Sequence, residues 1–390
     1  MYKFVIHLML IGFSVFSMPS FAQQPPHWDE IQEQAKGQTV YFYAWGGSPE
    51  VNQYLSKIAR TIYQQSQVTL KQVKVADISE AIQQLLAEKT AGKHEKGNVD
   101  LIWINGKNFK TLKDNNMLYG PLSTQLPNWA LLDKNLPIEL DFAKPTQGYE
   151  APWGIGQLVF IYDHQHLPHP PLSFAELLTY AQQHPNKISY PQPPEFHGSS
   201  FLKAALIELS HDNPALYKPV KPADYATITA PLWHYLDQLH KVAWRKGQQF
   251  PQSSAQTIQL LDDGELDLAI AFNPNAAKTA INNGSLPETA RTYAFKAGAL
   301  SNLHFLAIPA NSSAKQGALV VINTLLSPEA QRDKANTQIW GDPSVLLPQT
   351  LTQTSQPVLD QGFQRFPSLS ELDPSWQIAL EKSWKTRYGH

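Results

Sequence analysis

Thr39-Val40-Tyr41-Phe42-Tyr43-Ala44-Trp45, closed by Gly46-Gly47, is the stretch on which the fold turns. It is an unbroken run of β-branched, aromatic and small apolar residues. A strand that is apolar at consecutive positions is covered on both faces, the condition of strands in parallel sheets wrapped by helices. The glycine pair ends the run, and the period then changes. Val51, Tyr54, Leu55, Ile58 and Ile62 recur at helical spacing. Residues 70–75 read as a second strand. Asp77 and Glu80 form a capping box ahead of Ile78, Ile82, Leu85 and Leu86, and Gly92 follows the helix. Residues 99–104 (VDLIWI) are a third strand, stopped by Asn105-Gly106. Strands alternating with amphipathic helices define βαβ units and a parallel sheet.

The alternation resumes after a loop-rich stretch. Residues 156–162 (GQLVFIY) read as one strand, and Ser173-Phe174-Ala175-Glu176 is a capping box for a helix that Pro185 terminates. Residues 187–190 make a short strand. Gly198-Ser199-Ser200 opens a helix over 201–209, and a further helix covers 231–244. Ser253-Ser254 caps another helix, 266–272 (LDLAIAF) is a buried strand, and 302–308 is the last clear strand. A helix over 314–326 precedes Ser327-Pro328, a cap and first-turn pair for the next. No repeat of the solenoid or propeller kind is visible.

Composition bounds the function. The 390 residues exceed the roughly 250–300 at which single cores stop growing, so two lobes are expected. At 42% hydrophobic the chain is not disordered. The net charge of −2 provides no basic field, so nucleic acid is not an expected partner. The absence of Cys excludes disulfides, thiolate zinc, iron–sulfur clusters, a Cys nucleophile and a lipid-modified N-terminal Cys. Residues 1–22 read as a signal peptide. Lys3 is its positive region, 4–13 its apolar core, Pro19 the helix break, and Ser20-Phe21-Ala22 the small-residue cleavage site. An exported chain without a lipid anchor is the expectation, and the periplasm its place.

Three stretches together resemble a known family: Tyr41 to Gly47, Asp100 to Gly106, and Tyr190 to Phe201 (YPQPPEFHGSSF). With the export signal and the two α/β halves, they are similar to solute-binding proteins of ABC importers. The likeness is to the two-lobed type II periplasmic binding fold of extracellular solute-binding family 1, in a bacterial subgroup near the thiamine, polyamine and iron binders. It covers nearly all of the chain beyond the signal. It implies an α/β architecture in which each lobe is a mostly parallel sheet flanked by helices, with the ligand cleft between lobes. Lobe 1 is then 27–150 with 300–338, and lobe 2 is 151–299 with 340–390. The crossings fall near 149–156, 296–302 and 340–342, where glycines suit hinges. The resemblance implies a monomer that passes a small solute to ABC permease subunits, with no cofactor.

Ligands of open α/β sheets sit beyond the carboxyl ends of the strands. Residues there are candidate ligand contacts: Trp45, Gly46 and Gly47; Asn105 and Gly106; Trp153; Gly198, Ser199 and Ser200; Asn273 and Asn275; Ser301; and Trp340. Gly198-Ser199-Ser200 at a helix start offers free N–H groups to a polar ligand or simply caps the helix. Trp45, Trp153 and Trp340 suit either ligand stacking or interlobe packing, whereas Trp103 reads as core. Glu195 is the acid of the lobe 2 motif and pairs either with a cationic ligand or with solvent. Aromatics beside a carboxylate favour a cationic organic solute, thiamine-like or polyamine-like. His164, His166 and His169 have a spacing seen in zinc or copper sites, but their proline-rich surroundings read as a solvated connector, and no metal is expected. No adjacent tyrosine pair of the ferric binders occurs.

No G-x-S-x-G, Walker A, H-E-x-x-H or G-x-G-x-x-G motif is present. Asp262-Asp263 with Glu265 reads as a solvated helix end. No catalytic residue is assigned. The alternative to a receptor is an exported hydrolase or transferase on the same scaffold.

Overall fold

The computed structural model describes residues 27–352 and 365–389. The expected signal segment lies outside the described residues. Strands Thr39–Trp45, Thr69–Val75 and Leu101–Ile104 pair in parallel, with Tyr43 opposite Val73 and Phe42 opposite Leu101. Helices Pro49–Ser66 and Ser79–Thr90 connect them. Ser48 caps the first of these through Val51 N (3.3 Å), and Glu80 accepts from Asp77 N (3.2 Å) ahead of the second. The first strand is more one-sided than its sequence implied. Val40, Phe42 and Ala44 are fully buried, while Tyr41 is exposed and Tyr43 and Trp45 are half-buried. Buried Asp100 ties this sheet to the later helix Lys315–Leu325. It accepts from Tyr41 N, Ser312 Oγ, Ser313 N and Ala314 N at 2.8–3.2 Å.

The long strand Ala299–Pro309 joins this sheet antiparallel to Leu101–Ile104, pairs in parallel with Ser368–Leu369 on its other side, and also pairs antiparallel with Ala151–Gln157. The single strand expected over 156–162 is therefore two. Ala151–Gln157 belongs to the first sheet and Val159–Asp163 to the second, and Leu158 N donates to Leu300 O (2.8 Å) where both crossing strands change lobe.

The second sheet departs from the expectation of mostly parallel strands. Its order is Ala290–Tyr293, Val159–Asp163, Ala269–Ala271, and both pairings are antiparallel. Residues 187–190 stay outside the ladder, held by Asp267 N to Lys187 O (2.9 Å) and Trp244 N to Ile188 O (2.8 Å). The sheet is instead filled by the strand entering from the crossing. The helix expected at 201 starts at Phe196, so the Gly-Ser-Ser triplet forms its first turn.

One core collects apolar residues from Ile31 to Ile155 and from Leu303 to Leu351. A second draws on residues between Leu158 and Leu300, on Leu372, and on Trp376, Leu380 and Trp384 of the C-terminal helix Pro374–Tyr388, and a smaller third holds Val159, Ile161, Ala269 and Ala271 of the second sheet. Trp340, Val345, Leu346 and Leu351 pack in the first core, and the part of 340–390 that packs in the second begins near Leu369.

Candidate functional site

The lobes meet around two helix N-termini. Helix Gly106–Asp114 starts directly after strand Leu101–Ile104. Asn105 is at the cap position but makes no side-chain cap bond, and Asp141 Oδ2 from a neighbouring hairpin accepts Gly106 N instead (2.5 Å). Gly106 has φ +56°, and a Cβ there would lie 2.7 Å from the Phe142 ring, so only glycine fits. In the other lobe, Glu195 caps helix Phe196–Leu209. Its carboxylate accepts from His197 N (2.7 Å) and Gly198 N (3.0 Å), and its second oxygen pairs with His197 Nδ1 (2.6 Å). Burial works against its charge, but His197 and the helix N–H groups outweigh this and hold the carboxyl below the usual range. Gly198 sits where a Cβ would come 2.0 Å from Pro191 O.

Helix Pro374–Tyr388 lies against both of these helices. Its Glu381 takes Lys107 Nζ of the first lobe (2.8 and 3.0 Å) together with Ser199 Oγ of the second (2.8 Å) and its own Gln377 Nε2 (2.8 Å). One helix turn beyond Ser199, fully buried Lys203 pairs with Glu371 (2.6 Å), whose other oxygen accepts from Asn302 Nδ2 (2.8 Å). Burial lowers the Lys203 ammonium pKa and the Glu371 carboxylate opposes that fall. The same ammonium lies 4.4 Å from the Phe142 ring of lobe 1 and 6.0 Å from Phe196 of lobe 2. Phe196 packs edge-on against Phe272 (4.8 Å), and Phe272 fills the space a side chain at Gly156 would need. The junction is thus aromatic, polar and built by both lobes. Lys144 with Asp373 (3.0 Å) and Glu50 with Asn283 (2.5 Å) add rim contacts.

The residues read from sequence have different placements. Trp45 is half-buried, its ring folded over Gly47, and Gly46 O accepts from Asn52 Nδ2 (2.9 Å). Ser200 Oγ donates back to Phe196 O. Asn275 Nδ2 donates to Gly341 O (2.8 Å) at the third crossing, and Asn273 Oδ1 accepts from Asn275 N (2.9 Å). Ser301 Oγ accepts from Gln157 Nε2 (2.9 Å) at the crossing strands. Trp153 and Trp340 are buried in a box with Trp103, Tyr54 and His304, at ring separations of 5.0–6.5 Å. Beside that box Lys334 is ion-paired with Asp342, which also meets His304 Nε2 (3.1 Å). His166 is exposed and pairs with Asp163 (2.7 Å). Among the described residues no three His, Asp or Glu groups converge on a metal position. A groove of about 570 Å³ lies away from the junction, between helix Pro49–Ser66 and edge strand Thr69–Val75.

Sequence reasoning missed Lys107, Lys203, Glu371 and Glu381. Lys203 carried a signal, because a lone Lys inside FLKAALIEL must either snorkel or find a buried partner. Glu371 and Glu381 lie in the tail, far in sequence from the groups they meet.

A fold of two α/β lobes joined by crossing strands, with two helix starts facing each other at the junction, defines a two-lobed type II periplasmic binding fold. The chain belongs to the bacterial extracellular solute-binding protein family, whose model matches residues 57–347. It is 43% identical over 377 residues to "Protein YnjB" of Escherichia coli strain K12, covering 96% of this chain and 97% of that one. Among solved structures it is similar to a "putative spermidine/putrescine ABC transporter" from Listeria monocytogenes (TM-score 0.60, 16% identity, 90% of this chain and 98% of that one). It is also similar to the periplasmic binding protein AfuA of Actinobacillus pleuropneumoniae with fructose-6-phosphate bound (TM-score 0.64, 13% identity, 90% and 99%). No described helix is long and apolar enough to cross a membrane.

Proposed function

We propose that this chain is the substrate-binding component of an ABC importer. It is exported to the periplasm with its signal removed, takes a small solute between its lobes as a monomer, and delivers it to inner-membrane permease subunits. One observation carries the reading. Residues of both lobes, Lys107 and Phe142 on one side and Ser199, Lys203 and Phe196 on the other, meet at a single junction held by Glu381 and Glu371. Strand crossings there allow the lobes to part and rejoin, and a solute that contacts both lobes favours the joined form. The half-buried rings Trp45, Phe196 and Phe272, with Asn273 next in sequence to Phe272, suit an organic cation of thiamine or polyamine type.

Thermal denaturation against a panel of polyamines, thiamine-like cations, sugar phosphates and amino acids tests this. A saturable rise in Tm with one class supports the receptor and names its solute class. No rise with any class at millimolar concentration removes the cationic assignment and weakens the receptor. Turnover of a stabilising solute replaces the receptor with the hydrolase or transferase alternative.

A further inference from the structure

Strand Thr69–Val75 is the end member of the first sheet and pairs only with Thr39–Trp45 among the described residues. Thr69 N donates to Gln38 O (2.9 Å) and Gly46 N to Val75 O (3.0 Å), so the odd-numbered residues turn their backbone groups to that neighbour. In a parallel ladder a residue's N–H and C=O point to the same side, and successive residues alternate. Leu70, Gln72 and Lys74 therefore direct theirs to the open edge. The same three residues line the groove of about 570 Å³ beneath helix Pro49–Ser66. Its charge is of one sign, because Arg60 and Lys74 line it and no Asp or Glu does. Both cations are exposed, and Arg60 donates to Ser56 Oγ (3.4 Å) rather than to an acid. Asn52 Oδ1 accepts from Gln72 Nε2 at mid-strand (2.8 Å), and helix and strand run in opposite directions across a short turn. Arg60 stands about 12 Å of helix beyond Asn52, and Lys74 lies the other way along the strand. The cations thus mark opposite ends, with Leu55, Ala59 and Leu70 between them.

We propose that this edge takes up an extended acidic segment of a partner protein as an added β-strand. Its backbone pairs with Leu70, Gln72 and Lys74, and its carboxylates meet Arg60 and Lys74. Charge selects this occupant. A second copy of the chain paired edge to edge would set Arg60 and Lys74 against the same cations, and like charges facing each other across strands are destabilising. Lysines on an edge strand are a common guard against such self-pairing, and Lys71 on the opposite face adds to it, 5.7 Å from the Tyr41 ring. An acidic strand turns that repulsion into attraction, and apolar residues between its acids rest beside Ala59 and Leu70. Tyr63, 57% exposed at the helix end of the groove, offers a ring to the same segment. The groove lies on lobe 1 away from the lobe junction, so the inference is independent of which solute the lobes enclose.

The probe is the fluorescein-labelled peptide Glu-Thr-Val-Thr-Val-Thr-Glu, whose acids share one face about 20 Å apart when extended. It is titrated with the full mature chain and followed by fluorescence anisotropy. The expected result is saturable binding that NaCl weakens and that the peptide with Lys in place of both Glu does not show. Of two further peptides, N-methylated on one or the other alternate set of residues, at least one should lose binding, since it keeps its charge but cannot complete the ladder. Lys74→Glu and Arg60→Glu, both at exposed positions, should each weaken binding by about tenfold or more, and the double variant should bind the Lys peptide instead. The proposal is overturned if both N-methylated peptides bind like the parent, which means charge alone, or if the reversed variants keep wild-type affinity. Absence of binding up to about 1 mM peptide overturns it as well. So does a dimer of the unliganded chain in sedimentation that Gln72→Pro abolishes, which assigns the edge to a second copy.

Discussion

Replacing Lys107 with Ala removes one of the charged contacts that span the two lobes. Lys107 is 23% exposed and Glu381 13% exposed at the side chain, so the pair sits between the surface and buried cases. Exposed pairs are worth about 0–1 kcal/mol, whereas stripping one partner from a buried pair costs about 3–5 kcal/mol. Two factors place this variant at the lower middle. The two contacts at 2.8 and 3.0 Å are well formed, yet Glu381 keeps Ser199 and Gln377 as donors after Lys107 is lost. The expected penalty is about 1–2 kcal/mol, a factor of roughly 5–30 in the ratio of joined to parted lobes. The chain has no Cys, so two introduced thiols are unique. Gln65→Cys and Gln182→Cys, exposed on helices Pro49–Ser66 and Phe174–Gln183, place one spin label on each lobe. Lys107→Ala should broaden the distance distribution toward longer separations, and Lys107→Arg should retain most of the short-distance population. Identical distributions for wild type and Lys107→Ala at low salt would refute the claim that this pair holds the lobes together.

Three further expectations follow from buried groups. Gly154→Ala puts a Cβ 2.0 Å from Asp342 Oδ2 and 2.1 Å from His304 Nε2, so it should cost about 3 kcal/mol or more in chemical denaturation; a change under about 1 kcal/mol contradicts the packing around the Lys334–Asp342 pair. Lys203→Met leaves Glu371 with only Asn302 and should destabilise by about 3–5 kcal/mol, and adding Glu371→Leu should recover most of the loss; a double variant no better than the single one contradicts the isolated-pair account. His240 Nε2 is hydrogen-bonded with Tyr190 OH (2.7 Å), which accepts from Trp384 Nε1, and burial pushes the His240 pKa down to about 4 although Asp237 opposes this. The unfolded chain, with an ordinary value of about 6.5, binds more protons in that window, so stability should rise with pH between about 4 and 6.5, by about 3 kcal/mol in total; urea midpoints of His240→Gln that keep the full slope would contradict it.

The alternation of strand and helix was legible because its signals are local. The TVYFYAW run, the Ser173 cap and the Ser327-Pro328 start each act within a few residues, and the structure places elements at each. What the residues alone did not reveal depends on distant pairings. The antiparallel second sheet follows from a strand entering directly from the crossing, and the division of 156–162 into two strands from a change of lobe at Leu158. At the junction, Gly106 and Ser199 were singled out from a strand end and a helix start, whereas their partners Asp141 and Glu381 come from a hairpin and the C-terminal helix, 35 and 182 residues away. Trp153 and Trp340 looked equivalent to Trp45 by position in sequence. Their neighbours Trp103, Tyr54 and His304 draw them into the first core.

Native mass spectrometry of the protein purified gently from producing cells, before and after stripping in denaturant and refolding, addresses the central claim most directly. The account predicts one small organic molecule per chain in the first spectrum, absent from the second and restored by incubation with the cell's small-molecule extract. Identical masses in all three samples, under conditions that preserve weak complexes of a control receptor, would contradict a solute held between the lobes.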